Sequence, residues 1–330
     1  MPHVLVAGKI HDAGCALLRA TPGITFDLVE EVSTESYAPL VGEADAILIR
    51  TQPMPADVVG QADRLKIVSR HGVGFDAVDV EALNRRGIPL AIVGDVNSRT
   101  VAEHTLMMML SIAKRATQYD AATRGGGWGY RNSFAATELA GRTLFLIGFG
   151  RIGRTVAKMA AGFDMEIYAH DPFVGDADIR QSGAIPVREI GLMLESADYV
   201  SIHMPLSDGG TIIGAMELAR MKRNAVIINT ARGGLVDEEA LAAALDEGRL
   251  GGAGLDVFSE EPPSANHPLF HSERTILSPH SAGLTEECAA RMSTTAVQNI
   301  LDFFVGKLDP NLIVNAAALT QFSDAKQHRA

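Results

Sequence analysis

A strand–turn–helix–strand unit between residues 144 and 171 constrains the fold of this chain more than any other segment. The apolar strand 144–147 (LFLI) runs into the turn 148–153 (GFGRIG), and a helical pattern follows. A second strand, 165–169, ends just before Asp171. The three glycines of such a unit permit a tight turn, the approach of a pyrophosphate to the backbone, and close packing of helix on strand. Because a helix N-terminus attracts phosphates, we predict that this unit binds a dinucleotide.

The acid that follows the second strand bears on which dinucleotide is bound. A carboxylate at this position accepts a hydrogen bond from the ribose 2′-hydroxyl but repels a 2′-phosphate, for which an arginine usually lies nearby. The five residues after Asp171 are Pro, Phe, Val, Gly and Asp, without a lysine or an arginine. The sequence therefore predicts NAD rather than NADP as the cofactor.

Length and composition narrow the class of protein. A chain of 330 residues with 47% hydrophobic residues suits two α/β domains. The net charge of −11 argues against a nucleic-acid or anionic-membrane partner. We find no signal peptide and no apolar stretch near the roughly 20 residues that cross a bilayer, so we expect a cytoplasmic protein. Cys15 and Cys288 are expected to be buried reduced thiols rather than a disulfide or a metal site.

The pattern along the chain predicts parallel sheets. The first hundred residues alternate strands (4–7, 46–49, 66–69, 90–93) with amphipathic helices, which indicates an α/β unit. A helix is predicted over 101–115, and its all-round apolar run indicates burial between domains or subunits. A final helix, 286–304, is expected to pack on the first domain, and the polar tail from residue 321 is expected to be disordered.

Chemically useful side chains follow three strands of the second domain. Arg232 comes after strand 225–229, and His280 comes after strand 275–277. Asp256 comes after residues 254–255 and is followed by two further acids, Glu260 and Glu261. Because ligands of open α/β sheets bind beyond the carboxyl ends of the strands, we expect these groups to meet at one edge.

This set suits hydride transfer between a dinucleotide and a 2-hydroxy acid. A guanidinium binds a carboxylate through two hydrogen bonds and polarises the adjacent carbonyl. A histidine changes charge near neutral pH and can take or return the hydroxyl proton, and a nearby carboxylate stabilises its charged form. The pattern alone does not choose between Glu260 and Glu261 as that carboxylate.

Other readings of single residues stay open at this point. Arg232 could be a surface ion-pair former instead of a substrate ligand. His203 follows a strand and suits either a cofactor-lining or a structural role. His71 suits a substrate-lining or a structural role about equally.

Taken together, the motifs resemble the D-isomer-specific 2-hydroxyacid dehydrogenase family, in its short phosphoglycerate dehydrogenase or hydroxypyruvate reductase-like form. The resemblance covers nearly the whole chain and rests on the ordered segments 70–76, 97–103, 148–153, 229–234, 254–262 and 278–280. It implies two Rossmann-like doubly wound parallel-sheet domains. An NAD-binding domain, 99–284, would be inserted into a flavodoxin-like substrate-binding domain formed by 1–98 and 285–330. It also implies a homodimer built around the helix 101–115.

The resemblance assigns roles residue by residue. Arg232 would bind the substrate carboxylate and carbonyl, His280 would be the acid/base, and Glu261 rather than Glu260 would be the partner of His280. Backbone N–H groups of two residues, Val73 and Gly74, would help to hold the substrate carboxylate. The residues implied in cofactor binding are Gly148, Gly150, Arg151, Ile152, Gly153, Asp171, Pro205, Thr230, Ala231 and Asp256.

One segment departs from the family pattern, and the substrate is left open. After Pro205 the family usually has two threonines at fixed spacing, whereas Ser207 replaces the first of them here. Candidate substrates are 3-phosphoglycerate, hydroxypyruvate, glyoxylate, sulfolactate and lactate-like acids. We hypothesise that Arg50, which follows the strand 46–49, recognises a second anionic group, the alternative being a solvated arginine.

Two other functions compete with the dehydrogenase. A non-catalytic NADH-sensing corepressor would share the fold and the same three polar residues. A formate-dehydrogenase-like activity would need no hydroxyl proton transfer, so the pairing of Glu261 with His280 argues against it.

Overall fold

The computed structural model describes residues 1–206 and 210–319 and divides the chain into two compact units. The first unit comprises Met1–Asn97 and the segment that begins at Thr285, and the second comprises Ser98–Leu284. Each unit has its own parallel sheet, one of five strands and one of seven. The predicted fold class, two doubly wound parallel-sheet domains, is confirmed. The predicted division of labour between the units stays a prediction.

Twelve strands and twelve α-helices are described. The strands are β1 His3–Ala7, β2 Thr25–Val29, β3 Ala46–Ile49, β4 Ile67–Arg70, β5 Leu90–Ala91, β6 Thr143–Ile147, β7 Glu166–His170, β8 Ile185–Pro186, β9 Tyr199–Ile202, β10 Val226–Asn229, β11 Gly252–Leu255 and β12 Thr275–Leu277. The α-helices are α1 Asp12–Ala20, α2 Thr34–Tyr37, α3 Ala56–Gln61, α4 Val80–Arg85, α5 Ser98–Ala113, α6 Ala116–Arg124, α7 Arg151–Ala161, α8 Asp176–Gln181, α9 Ile190–Leu194, α10 Ala215–Arg220, α11 Glu238–Asp246 and α12 Glu286–Phe304. Short 3-10 helices cover Ala38–Glu43, Trp128–Ser133, Pro268–His271, Pro310–Leu312 and Ala316–Ala318.

The sheet of the first unit has the strand order β2-β1-β3-β4-β5, the flavodoxin-like order. Successive side chains of a strand point to opposite faces, so each strand feeds two apolar layers. In β1, Val4 and Val6 enter the layer covered by α1 and α12, whereas Leu5 and Ala7 enter the layer on the other face. The predicted final helix is confirmed with the bounds Glu286–Phe304, and it packs against α1 and β4.

A C-terminal segment closes the β5 edge of this sheet. The N–H of Ile92 donates to the carbonyl of Leu312, and the N–H of Val314 donates to the carbonyl of Leu90, both at 2.9 Å. Beyond them the buried Asn315 side chain accepts a hydrogen bond from the N–H of Leu90 at 2.9 Å and donates to the carbonyl of Ile88 at 3.0 Å. The polar tail from residue 321, which is expected to be disordered, lies outside the described residues.

The second unit has the strand order β12-β11-β10-β9-β6-β7-β8, all parallel. The chain leaves β6 toward one edge of the sheet and returns to β9 on the other side of β6. This reversal makes the neighbouring ends of β6 and β9 the topological switch point, where ligands of such sheets bind. The predicted glycine turn begins there, because Gly148 directly follows β6.

The helix predicted over 101–115 spans Ser98–Ala113, and its buried residues pack on the sheet and on α7 of its own unit. The small residues of β11 allow this: a Cβ built on Gly252 would lie 2.7 Å from Ile112, and one on Gly254 would lie 3.0 Å from Met108. Met107 is 40% exposed on the single chain, so the expected burial between domains or subunits is not reached at this residue within the chain itself. A place for the helix in a subunit interface stays a prediction.

Two further expectations concern the thiols and the membrane. Cys15 and Cys288 are both buried free thiols, as predicted, and burial raises the pKa of Cys15. Across 1–206 and 210–319, every helix falls short of the length and apolar character that a membrane span requires.

We expect Asn315→Ala to destabilise the first unit by about 1–3 kcal/mol, because it leaves the buried N–H of Leu90 without an acceptor. Urea unfolding followed by circular dichroism would measure the change. The matched control is Asn311→Ala, at an exposed asparagine of the same segment, for which we expect little change. Equal stabilities of the two variants would contradict the structural role of Asn315.

Candidate active site

The three glycines of the turn after β6 differ in the space around them: an added Cβ would clash with backbone atoms at two of them and meet nothing at the third. A Cβ built on Gly148, whose φ is +96°, would lie 2.5 Å from the carbonyl oxygen of His203. A Cβ on Gly153 would lie 2.3 Å from the carbonyl oxygen of Gly148, so helix α7 packs directly on the turn. A Cβ on Gly150 would meet no atom within 4 Å. The turn therefore fits a dinucleotide, since it offers an open backbone at the N-terminus of α7.

Asp171 joins the end of β7 to this turn. Its Oδ2 accepts a hydrogen bond from the N–H of Phe149 at 2.7 Å, and its Oδ1 accepts one from the N–H of Phe173 at 2.8 Å. Each carboxylate oxygen has two lone pairs, so both can still accept a ribose hydroxyl. The predicted ribose ligand thus also holds the turn in shape, a role that the sequence pattern did not reveal.

The other predicted cofactor residues lie at the same end of the sheet. Arg151 and Ile152 begin α7, and Pro205 is exposed just after β9. Thr230 and Ala231 are buried just after β10, and the Thr230 hydroxyl lies 3.0 Å from that of Thr105 in α5. The family departure predicted at Ser207 lies outside the described residues.

Arg232 sits in a tightly packed loop after β10. The Asn229 side chain accepts from the N–H of Ala231 at 3.0 Å and donates to the carbonyl of Arg232 at 2.8 Å, which fixes the start of the loop. A Cβ built on the next residue, Gly233, would lie 1.8 Å from the carbonyl oxygen of Phe258. The loop of Arg232 and the loop that leads to the two acids are therefore in direct contact.

Glu261 and His280 form a hydrogen-bonded pair. Nδ1 of His280 donates to Oε2 of Glu261 at 2.7 Å, and the N–H of Phe258 donates to Oε1 of Glu261 at 3.0 Å. Partial burial acts to raise the pKa of Glu261, but these two hydrogen bonds and the charges of His280 and Arg232 bring that pKa below its usual value. Of the two acids that the pattern left open, Glu261 is the one against His280.

His280 is held in an unusual backbone conformation. Its φ is +50°, a left-handed value that costs roughly 1 kcal/mol or more in a residue other than glycine and often marks a functional site. Its N–H donates to the carbonyl of Asp256 at 2.7 Å. The Asp256 carboxylate, 1% exposed, accepts from the Ser278 hydroxyl at 2.5 Å and from the N–H groups of Ser281 and Ala282 at 2.8 Å. Asp256, predicted from the family to contact nicotinamide, thus holds the turn that carries His280.

The predicted substrate residues of the first unit follow two neighbouring strands. Arg50 comes directly after β3, and its Nη1 donates to the carbonyl of Lys9 at 2.8 Å. Burial lowers the pKa of the Arg50 guanidinium. Val73 and Gly74 come after β4 and are half-buried.

His71 directly follows β4 in the chain. It is 5% exposed, and its Nε2 lies 2.9 Å from the Ser293 hydroxyl of α12. Burial lowers its pKa to about 4, and the positive charges of Arg50 and Arg70 act in the same direction. The buried contact with Ser293 gives His71 a structural role, and the low pKa keeps it uncharged beside two arginines.

Comparison with known proteins identifies the family. Residues 106–282, which include the glycine turn, Arg232, Glu261 and His280, match the model of the D-isomer specific 2-hydroxyacid dehydrogenase, NAD binding domain. The chain is 34% identical over 320 residues to a glyoxylate reductase of Korarchaeum cryptofilum, covering 94% of this chain and 96% of that protein. The chain belongs to the D-isomer specific 2-hydroxyacid dehydrogenase family.

Two further proteins are similar to most of this chain. A D-3-phosphoglycerate dehydrogenase of Methanocaldococcus jannaschii is 36% identical over 95% of this chain, but the chain spans only 59% of that protein's length. The crystal structure of the TT0316 protein from Thermus thermophilus superposes with a TM-score of 0.87 and 32% identity, covering 94% of this chain and 99% of that chain. The segment that matches the NAD binding domain of the family contains the open glycine turn, and this match gives NAD as the cofactor.

The three glycines of the turn give a matched set of substitutions. Gly150→Ala places a Cβ in open space, so we expect the free energy of unfolding to fall by no more than about 1 kcal/mol, the cost of losing glycine at an N-cap. We expect the same variant to bind NADH at least about 10-fold more weakly, because the methyl group occupies the backbone surface that the pyrophosphate approaches. Fluorescence titration with NADH would measure the affinity.

Gly153→Ala is the contrasting variant. Its Cβ would meet the backbone of Gly148, so we expect overpacking to lower the free energy of unfolding by about 1–3 kcal/mol. We expect this variant to bind NADH more weakly as well. Unchanged NADH affinity in a folded Gly150→Ala protein would contradict the assignment of the pyrophosphate site.

Proposed function

We propose that this chain is an NAD-dependent 2-hydroxyacid dehydrogenase that interconverts D-2-hydroxy acids and 2-keto acids. The observation that carries the proposal is the 2.7 Å hydrogen bond between Glu261 and His280 in the unit that contains the glycine turn. The names of similar proteins, glyoxylate reductase and phosphoglycerate dehydrogenase, support it. They also favour an enzyme over an NADH-sensing corepressor.

The residues of the pair have complementary tasks in this proposal. Nδ1 of His280 is engaged by Glu261, so Nε2 is the nitrogen that exchanges a proton with the substrate oxygen. In reduction, His280 gives this proton to the carbonyl oxygen at C2, and in oxidation it takes the proton from the hydroxyl. Glu261 holds the imidazole in this orientation and stabilises its charged form.

Arg232 binds the substrate carboxylate in the proposed mechanism. The Arg232 guanidinium suits a two-bond contact with the carboxylate and polarises the adjacent carbonyl. The N–H groups of Val73 and Gly74 are proposed as further donors. Bound NADH supplies the hydride for C2. Asp171 favours a cofactor with a free ribose 2′-hydroxyl, in agreement with NAD.

We further propose that the substrate carries a second anionic group, phosphate, sulfonate or carboxylate, recognised by Arg50. Its position directly after β3, near a second arginine whose charge also acts on His71, supports this assignment. Burial of the guanidinium strengthens its attraction for an anion.

The homodimer and the cytoplasmic location remain predictions. The exposed aromatic side chains Trp128 (70%) and Phe134 (86%) support the homodimer.

Turnover on a substrate panel tests the reaction. We expect NADH oxidation with one or more of glyoxylate, hydroxypyruvate, pyruvate, phosphohydroxypyruvate, sulfopyruvate and oxaloacetate. We expect His280→Gln to lower kcat about 10²-fold to 10⁴-fold by removing the acid/base, with NADH affinity unchanged. His271→Gln, at an exposed histidine, is the matched control. Tight NADH binding without turnover of any keto acid would favour the sensor function instead.

Arg50→Ala tests the second anionic group. Losing one charged hydrogen bond is expected to lower kcat/KM for a doubly anionic keto acid about 30-fold, with little effect on pyruvate. Arg64→Ala removes the same charge from an exposed position of the same unit and serves as the control. Equal losses for both classes of substrate in Arg50→Ala would contradict recognition of a second anion and leave the reaction class unaffected.

A further inference from the structure

A second glutamate–histidine pair lies behind the loop that carries Glu261. Nε2 of His267 donates to Oε2 of Glu238 at 2.9 Å, and the two side chains are only 14% and 11% exposed. Oε1 of Glu238 accepts two hydrogen bonds from Ser259, one from its N–H and one from its hydroxyl, both at 2.7 Å. Both oxygens of this buried carboxylate are therefore directed at the loop and at His267.

The pair and the loop form a closed ring of contacts. The imidazole of His267 packs edge-on against the Phe258 ring, with 5.5 Å between centroids. Nδ1 of the same imidazole is buried without a hydrogen-bond partner in the described part of the chain, so Glu238 is its polar anchor there. Phe258 in turn donates its N–H to Oε1 of Glu261. The segment that Glu238 and His267 hold is thus the segment that orients the Glu261 carboxylate.

An ordinary role at a helix N-terminus does not account for Glu238. Acids in the first turn of a helix stabilise its dipole, and Glu238 is the first residue of α11. The cap of α11 is supplied by Asp237, whose side chain accepts from the N–H of Ala240 at 3.0 Å. Glu239, in the same turn, adds a second negative charge. The burial of Glu238 and its bonds to Ser259 go beyond what the helix requires.

Glu238 also couples the two loops of the site. It begins the helix that follows the Arg232 loop, and it binds Ser259 next to the carbonyl that packs on Gly233. We propose that Glu238 and His267 are positioning residues that set the Glu261 carboxylate against His280. This inference rests on the proposed dehydrogenase function for its kinetic consequences, but not for its structural ones.

Titration of Glu261 tests the inference independently of turnover. The charged groups that face Glu261 are His280 and Arg232, and its second anchor is the N–H of Phe258. Releasing the loop in Glu238→Ala weakens the anchors that favour the ionised form, so the pKa of Glu261 should rise. Side-chain ¹³C NMR, with the signal assigned through Glu261→Gln, measures that pKa. Glu239→Ala is the matched control and should leave it unchanged.

Kinetics supply the second readout. We expect Glu238→Ala to lower kcat/KM about 10-fold to 100-fold through misplacement of Glu261, and to move the acid limb of the pH profile to higher pH. In a Glu261→Gln background the same substitution should change kcat/KM by less than about twofold, because its effect acts through Glu261.

Two results would overturn the inference. One is an unchanged Glu261 pKa in a folded Glu238→Ala protein. The other is a double variant in which Glu238→Ala lowers kcat/KM by the same factor in the Glu261→Gln background as in the wild type. If Glu238→Ala does not fold, Ser259→Ala removes one of the two donors without burying a new charge. It should raise the Glu261 pKa in the same direction by a smaller amount, and no change in it would be equally decisive against the proposal. An inactive wild-type protein would count against the proposed function alone, since the NMR titration still tests the positioning role.

Discussion

The parallel ladder of β10, β11 and β12 is the constraint on which the site depends. Its register sets Asn229 beside Leu255 and Leu255 beside Leu277, so three strands end at the same level. The loops that carry Arg232, Glu261 and His280 all leave from this edge. Because the strands are hydrogen-bonded into one sheet, the sheet fixes the starting points of these loops independently of the side-chain contacts within the site.

Short polar contacts and close backbone packing then fix the loops themselves. Asp256 is a buried carboxylate that accepts hydrogen bonds from a hydroxyl and two backbone N–H groups, which offset part of the cost of burying its charge and tie it to the turn around His280. Gly233 allows the backbone of one loop to lie on the backbone of the next. Asp256 and Gly233 therefore help to set the geometry of the loops that carry the residues proposed to touch the substrate.

The sequence predicts the strands that are apolar and the residues that follow them, but not the elements that lack a pattern. Strand β2 escapes prediction because Thr25, Asp27 and Leu28 are exposed at the sheet edge and leave no apolar run to recognise. The apolar run of α5 predicts burial, but it does not indicate which neighbour covers the helix. Glycines in β11 that admit α5 become meaningful only in three dimensions.

In the site, too, the sequence predicts some residues and misses others. The residues of the motifs follow strands and can be found in the sequence, whereas Glu238 and His267, 29 positions apart, carry no common signal. An acid in the first turn of a helix is ordinary in a sequence, and only its burial against Ser259 distinguishes it. Contacts between side chains distant in the chain are what the linear pattern does not encode.

The discontinuity of the first unit has a consequence for biosynthesis. One of its apolar layers includes Met292, Val297 and Ile313, which are translated only after the whole second unit, residues 98–284. At about 5–20 residues per second, the ribosome needs roughly 10–40 s to make that intervening stretch. During this time one face of the N-terminal sheet lacks its cover while the second unit, continuous in the chain, can already fold. The nascent protein therefore exposes an apolar surface that the finished protein buries, and this interval is when it most needs protection from aggregation.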